Sequence, residues 1–401
     1  MVSCHAKKQN TNQPYTMNSK SKKKVVALFA QAGVTLDGDR PWDIQVHNPA
    51  LYPRILSQGS LGFGESYLEG WWEAEALDEC IFRLLRAKID YEVGTNFKLV
   101  WEGLLWTLFN RQTKSRAKRA VRHHYDLDNQ LFFSFLDPYR QYSCAYFYET
   151  ENLAIAQEMK MELICQKLQL SQGEEVLDIG CGWGGLAKYM AERYGCRVTG
   201  ITLSREQARY AREFCRGLPI TIRLRDYRDI REKYDKIVSI AMFEQVGFKN
   251  YRRMMQIVRN SLREGGLFLL HTIGMDKSAL TGEPWLTKYI FPDTHIPSLR
   301  QLAQATDGLF VLEDLHNFGF DYAKTLKAWH ERFVRNWPRL RDRYDQRFFR
   351  LWTYYLQSCR ATFLARKAQL WQAVYTRNGL LGGYESVRDP VRATEAQGML
   401  V

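Results

Sequence analysis

The sequence predicts an α/β chain: a Rossmann-like domain with a mostly parallel sheet, preceded by a smaller, mainly helical N-terminal domain. Three observations predict it. From about Leu153 short apolar runs alternate with helical spacing, which calls for a parallel sheet with helices on both faces. One run ends in Gly180-Cys181-Gly182-Trp183-Gly184-Gly185, glycines at the carboxyl edge of a strand, where such sheets bind ligands. The 401 residues exceed one ordinary domain and fit two.

In chain order, residues 1–24 are polar, lysine-bearing and poor in core formers, which predicts a disordered leader. Residues 25–109 read as the N-terminal domain, with helical spacing around Ile81, Leu84 and Leu85. Within it the run from Gly59 to Gly70 is punctuated by glycine and ends in Trp71 and Trp72. Residues 110–123, with Arg111, Lys114, Arg116, Lys118, Arg119 and Arg122, read as a basic linker. Residues 124–377 are the catalytic domain, with strands at Glu175–Ile179, Arg197–Leu203, Ile220–Leu224, Lys236–Ala241 and Leu267–Ile273. Helices are expected at Leu186–Tyr194 and Arg205–Phe214, and the polar residues 378–401 as a flexible tail.

A composition of 45% hydrophobic and 25% charged residues is that of a folded globular protein. The formal net charge of +13 seeks a polyanion, and nucleic acid or an anionic membrane face would both serve. No stretch approaches the roughly 18 uninterrupted apolar residues of a membrane span. Glu102 interrupts Leu99 to Phe109, and Val25 to Ala30 is too short for a signal peptide. The expectation is a cytoplasmic protein, or one on the cytosolic side of the membrane surface. The eight cysteines form no C-x-x-C pair and meet no histidines at zinc spacing, so neither structural zinc nor a disulfide framework is expected.

The sharpest motif is Val176-Leu177-Asp178-Ile179 with its glycine turn. Gly180 and Gly182 let backbone approach a ligand with no Cβ in the way. A dinucleotide site reads G-x-G-x-x-G, whereas here the spacing is G-x-G-x-G-G after an aspartate. Asp178 suits a cationic amino group, such as that of the methionine moiety of S-adenosylmethionine. The second strand ends Gly200-Ile201-Thr202-Leu203-Ser204, with no acid for a ribose, so hydroxyls and Gln207 must take that role. These residues alone indicate a methyltransferase.

Further segments in one order narrow this: His124-Tyr-Asp-Leu-Asp-Asn129, Gln141-Tyr-Ser-Cys-Ala-Tyr146, Gly200 to Ser204, Met242-Phe-Glu-Gln-Val-Gly247 and Leu270-His-Thr-Ile-Gly274. With the glycine turn they resemble the cyclopropane-fatty-acid synthase family across about residues 25 to 377. The Gly59 to Trp72 region is similar to the amino-terminal domain of the bacterial phospholipid enzymes, so residues 25–109 are expected to associate with lipid. The resemblance implies methylene transfer from S-adenosylmethionine to a cis double bond of a phospholipid acyl chain, at the inner membrane surface, by a homodimer. It implies that Tyr142, Ser143, Gly180, Gly182, Thr202, Leu203, Gln207, Asp226 and Tyr227 line the cofactor, beside Asp178 and Gly184 of the motif. It further implies a bicarbonate ion beside the sulfonium methyl, caged by Cys144, Glu244, His271, the Ile273 backbone and Tyr322. Two residues depart from the family pattern: Asp128 stands where glycine is usual and Gln245 where histidine is.

The chemistry explains such a site. Methyl transfer to an alkene leaves a carbocation, and ring closure needs a base at the new methyl with water excluded. Aromatic faces stabilise such a cation by about 0.5–2 kcal/mol each; Tyr146, Phe147, Trp285, Tyr289, Phe291 and Tyr322 are the candidates. Cys359, in the helical carboxyl region, is a candidate reactive thiol. Three rival readings remain: methylation of an acyl chain or small molecule without ring closure, an RNA methyltransferase, and a lipid-surface binding protein with a relic cofactor fold. A simple methyl transfer needs no base at the product methyl, no RNA-binding signature is present, and Asp178, Glu244 and His271 together argue against decay.

Overall fold

The computed structural model describes residues 19–89, 128–279 and 282–390. The expected basic linker and His124 lie outside the described residues.

The N-terminal part is helical, as its spacing predicts. Helix α1 spans Ser19–Gln31, so helix begins inside the expected leader. Helix α2 spans Leu51–Leu68 and is broken at Gly59, whose φ of 58° and ψ of −136° no helix contains. Helix α3 spans Leu77–Arg86, with Asp78 and Glu79 in its first turn and Arg83 and Arg86 in its last, the arrangement that favours the helix dipole. Two short strands, β1 (Gln45–Val46) and β2 (Trp72–Glu73), pair antiparallel between them.

The sheet of the larger domain holds β3 (Glu175–Ile179), β4 (Arg197–Thr202), β5 (Ile220–Leu224), β6 (Tyr234–Ile240), β7 (Leu262–Met275), β8 (Val311–Asn317) and β9 (Ala368–Thr376). Their order is β5-β4-β3-β6-β7-β9-β8. The first five are mutually parallel, while β9 runs antiparallel to both β7 and β8. Strand order reverses at β3, so the crevice at its carboxyl end is the expected ligand site. The five predicted strands are present within a few residues of their expected bounds, β7 extending furthest. The two antiparallel strands were not anticipated. β9 is almost wholly buried and shows no alternation, and two long helices, Gly319–Asn336 and Gln346–Leu364, separate it from β8.

One aromatic core joins the N-terminal helices to these two long helices, running from Phe29 and Trp72 through Trp285 to Trp329 and Trp352. The described part of the N-terminal region therefore shares its core with the carboxyl half of the chain. Polar contacts reinforce the join. The Glu65 carboxylate accepts from Tyr289 Oη at 2.9 Å and pairs with Lys288 and Arg54. Arg350 donates from Nε to the Tyr67 carbonyl at 2.6 Å. A Cβ on Gly64 would stand 2.5 Å from the Trp285 ring, so only glycine allows this approach.

Residues 378–390, expected to be flexible, are tied down. Arg388 holds the buried Asp314 of β8 at 2.6 and 2.8 Å, Ser386 adds a bond to it at 2.9 Å, and Tyr384 donates to the Lys167 carbonyl at 2.9 Å.

Candidate active site

The glycine turn builds one wall of a cleft that opens to solvent. Gly180, Gly182 and Gly184 take φ of 89°, 53° and 87°, the left-handed region that a side chain disfavours. A Cβ on Gly180 would lie 2.8 Å from Met242, and one on Gly185 would collide with the Tyr139 carbonyl at 1.7 Å. The turn is held by the Gly180 and Cys181 amides, which both donate to the Ile201 carbonyl of β4.

Of the expected cofactor residues, Tyr142, Ser143, Asp178, Gly180, Gly182, Thr202, Leu203, Gln207 and Tyr227 line this cleft. Gly184 does not; it turns the backbone against Ala211 and Cys215. Nor does Asp226, whose carboxylate accepts from Arg228 Nε and Nη2 at 2.7 Å and so fixes Arg228, which does line the cleft. Thr202 Oγ1 donates to Gln207 Oε1 at 2.9 Å, a linked polar pair where a ribose acid is missing. Sequence reasoning did not name Arg140 or Asp293, and quoted Trp183 without assigning it to the cofactor; all three also line the cleft. Trp183 lies within the glycine turn and could have been found; its indole donates to Asn129 Oδ1 at 2.9 Å. Arg140 and Asp293 sit in loops with no pattern to mark them.

Beneath the cleft lies a buried lysine. Lys160, from the helix Leu153–Lys167, donates to Ser143 Oγ at 3.1 Å and to Gln141 Oε1. Burial pushes it down to about 8, against the pull of Asp137 and Asp178. Burial also pushes Asp178 up to about 7, and Lys160 opposes it. Each group favours the charged form of the other, and a cationic ligand at Asp178 would favour its carboxylate further.

The second group of candidates gathers beyond Gln245, at the ends of β6 and β7. Ile240 of β6 pairs with His271 of β7, and the short turn Phe243–Gln245 carries Glu244 above them. Glu244 Oε1 accepts from the Ile273 amide at 2.7 Å, which explains why that backbone belongs to the cluster. The other oxygen, Oε2, is buried and has no hydrogen-bond partner, and neither has His271 Nε2. Burial raises the Glu244 carboxyl, although the Ile273 and Glu244 amides and the neighbouring Thr272 hydroxyl oppose this. Burial, then Lys160 and Lys167, hold the His271 imidazole well below its usual range, so it is neutral.

Burial first, and then Cys144, Tyr142 and Glu244, raise the phenol of Tyr322, which stands in the helix Gly319–Asn336. Cys144 is wholly buried, its thiol donating to the Ala145 carbonyl at 3.1 Å. Tyr142 shares a 2.8 Å hydrogen bond with Tyr355, a residue that sequence reasoning missed. Phe291 stacks edge-on to Tyr355 at 5.8 Å. The other aromatic candidates serve elsewhere: Trp285 and Tyr289 pack the N-terminal helices, and Tyr146 donates to the Arg388 carbonyl of the tail. Phe147 lies under Lys324. Cys359 is pushed up to about 12 by burial and then by Glu283, so nothing there favours a reactive thiolate.

Both departures have local accounts. Gln245 donates to Thr294 Oγ1 at 2.9 Å on the cleft wall. Asp128 caps the helix Asn129–Phe133, accepting from the Gln130 amide at 3.0 Å, and pairs with Arg343.

Comparison with known proteins follows the same lines. The family model described as mycolic acid cyclopropane synthetase matches residues 112–373. The chain is 50% identical to the cyclopropane-fatty-acyl-phospholipid synthase of Escherichia coli K12 over 356 residues, 88% of this chain and 93% of that one. It is 33% identical to the tuberculostearic acid methyltransferase UfaA1 of Mycobacterium tuberculosis, covering 83% of each. Among solved structures, the cyclopropane synthase MmaA2 from Mycobacterium tuberculosis superposes with a TM-score of 0.61 at 28% identity, over 64% of this chain and 97% of that one. The mycolic acid cyclopropane synthase CmaA1 complexed with SAH and CTAB superposes at 0.60 with 29% identity, over 64% of this chain and 97% of that one.

Proposed function

This chain belongs to the mycolic acid cyclopropane synthetase family, and from that premise we propose that it is a cyclopropane-fatty-acyl-phospholipid synthase. S-adenosylmethionine supplies the one-carbon unit, delivered to the cis double bond of an unsaturated phospholipid acyl chain. The observation that carries the ring-closing part of the reading is the pair of buried, unpartnered atoms, Glu244 Oε2 and His271 Nε2. A buried polar atom without a protein partner calls for an explanation, and a bound ion is one that serves both atoms here.

Bicarbonate fits that pair: its oxygens accept from an imidazole N–H and its hydroxyl donates to a carboxylate. Once bound, it supplies the base that takes a proton from the new methyl group. The chain's own residues hold and orient. Asp178 would hold the cofactor's amino group, and Gly180 and Gly182 would let the backbone come close. Glu244 and His271 hold the anion, with Ile273 fixing the carboxylate from behind. Tyr322, Tyr355 and Phe291 keep water away and offer ring faces to a developing cation. Cys144 fills the remaining buried space.

Access to an acyl chain calls for a protein at the membrane surface, and among the described residues no helix is long and apolar enough to cross one. We place the enzyme on the inner membrane face, as a homodimer, with the basic residues 110–123 contributing about 1 kcal/mol each against anionic lipid.

The test is incubation of the purified protein with S-adenosylmethionine and vesicles of cis-unsaturated phospholipid, with and without bicarbonate. A gain of one CH₂ with loss of the olefin, enhanced by bicarbonate, is the expected result. A methyl-branched product would keep the cofactor site and remove ring closure, leaving methyl transfer, the activity that the methyltransferase relative's name describes.

A further inference from the structure

The antiparallel pairing of β7 with β9 sets His271 directly opposite Gln372. Gln372 Nε2 stands 3.3 Å from His271 Nδ1, and Gln372 Oε1 accepts from Lys167 Nζ at 2.9 Å. All three side chains are buried. An amide presents a carbonyl on one side and an NH₂ on the other, and a lysine brings no acceptor while it is charged. The carbonyl therefore faces Lys167, the NH₂ faces His271, and Nδ1 of the imidazole must accept.

Lys167 is itself held in place. It lies 3.0 Å from His316 Nδ1 and 3.7 Å from Asp314, and Arg388 and Ser386 of the tail bind that aspartate. Burial pushes Lys167 down to about 7, against the pull of Asp314. Even the neutral amine keeps two N–H groups, one for Gln372 and one for His316.

We propose that Gln372, held from behind by Lys167, is a positioning residue that fixes His271 as the tautomer with its proton on Nε2. A neutral imidazole that accepts at Nδ1 carries its only proton on Nε2, the atom that has no protein partner. The opposite tautomer would aim a lone pair at the same space and repel an anion there. This assignment rests on the reading of that space as the bicarbonate site. It also gives the tail a part in the site, since Arg388 reaches His271 through Asp314, Lys167 and Gln372.

Nitrogen-15 NMR of the full-length, histidine-labelled protein tests the tautomer without any change to Gln372. The His271 signals are assigned by their loss in His271→Asn. The expected spectrum has a protonated Nε2 and a bare Nδ1 at pH 7. A proton on Nδ1, or fast averaging between the two nitrogens, would overturn the proposal.

The second arm is Gln372→Met, which keeps the length of the side chain and removes its donor. His271 should then average between tautomers, and half-activation by bicarbonate should need about tenfold more of the ion. The KM for S-adenosylmethionine should move less than twofold. Equal shifts in both, or in neither, would count against a positioning role. Absence of bicarbonate activation in the unaltered enzyme would instead defeat the anion reading, leaving the spectrum to decide the tautomer.

Discussion

Glu244→Gln separates function from stability, because the two should move in opposite directions. The carboxylate is buried, with Oε1 on the Ile273 amide at 2.7 Å and Oε2 without a partner. Glutamine keeps the first bond through its carbonyl and puts an NH₂ where Oε2 stood. The anion site then loses an acceptor that accounts for about 1.5–3 kcal/mol in a charge-assisted hydrogen bond. That corresponds to a roughly 10–10²-fold loss of ring formation. The fold gains, since the amide carries no charge and escapes the penalty of burying an ionised carboxylate, although its NH₂ takes over the unpartnered position.

The pH dependence has a definite sign. Burial raises the Glu244 carboxyl above its ordinary value of 4.5. Below 4.5 the folded and unfolded forms both hold the proton and no charge penalty arises. Above the raised value the folded form carries a buried charge, and stability is lost as pH rises through that window. The advantage of glutamine should thus be largest at neutral pH and shrink as pH falls towards 4.5. Thermal unfolding at pH 7 and pH 4.5, beside the vesicle assay, reads both effects. A variant less stable than its parent at pH 7 would mean that Oε2 is well partnered, and undiminished ring formation would remove Glu244 from the mechanism.

Other outcomes follow from the same geometry. Gly185→Ala places a Cβ 1.7 Å from the Tyr139 carbonyl, so the loop carrying Tyr142 and Ser143 must shift. Cofactor affinity should fall roughly 5- to 10²-fold by calorimetry, by analogy with the effect of about 1–3 kcal/mol of overpacking. Glu65 is a pH-sensitive join: burial would raise its carboxyl, but Lys288, Tyr289 and Arg54 together hold it below its ordinary value of 4.5. Its contribution is therefore present above 4.5 and lost as pH falls through the lowered value. Cleavage by an acid-active protease within residues 19–89 should rise in that range, and Glu65→Gln should show the same susceptibility already at pH 7. With Lys288 half exposed, the loss is about 1 kcal/mol.

Much of the fold could be read from local pattern. The parallel strands announce themselves because each is a short apolar run bounded by turn residues, and the glycine turn because its left-handed backbone admits little else. Most of the cofactor wall followed, since Asp178 to Gly182 and Thr202 to Gln207 are continuous in sequence. Local pattern missed β9, buried on both sides and so without alternation. It also misjudged residues 378–390, whose polar side chains look solvated until Asp314 is seen to hold Arg388 at 2.6 Å.

The sequence by itself determined the class of the protein and its cofactor, because glycine spacing and strand periodicity are properties of neighbouring residues. Its resemblance to known synthases named Glu244, His271 and Tyr322 without explaining how they act together. Only the tertiary structure decided that Glu244 and His271 each bury one unpartnered atom, that Tyr355 meets Tyr142, and that Lys167 and Gln372 stand behind the histidine. Those facts join β7, β9, the turn after β6 and two helices across long stretches of chain. They depend on strand register and on which side chains are withdrawn from water together, and a linear pattern carries neither.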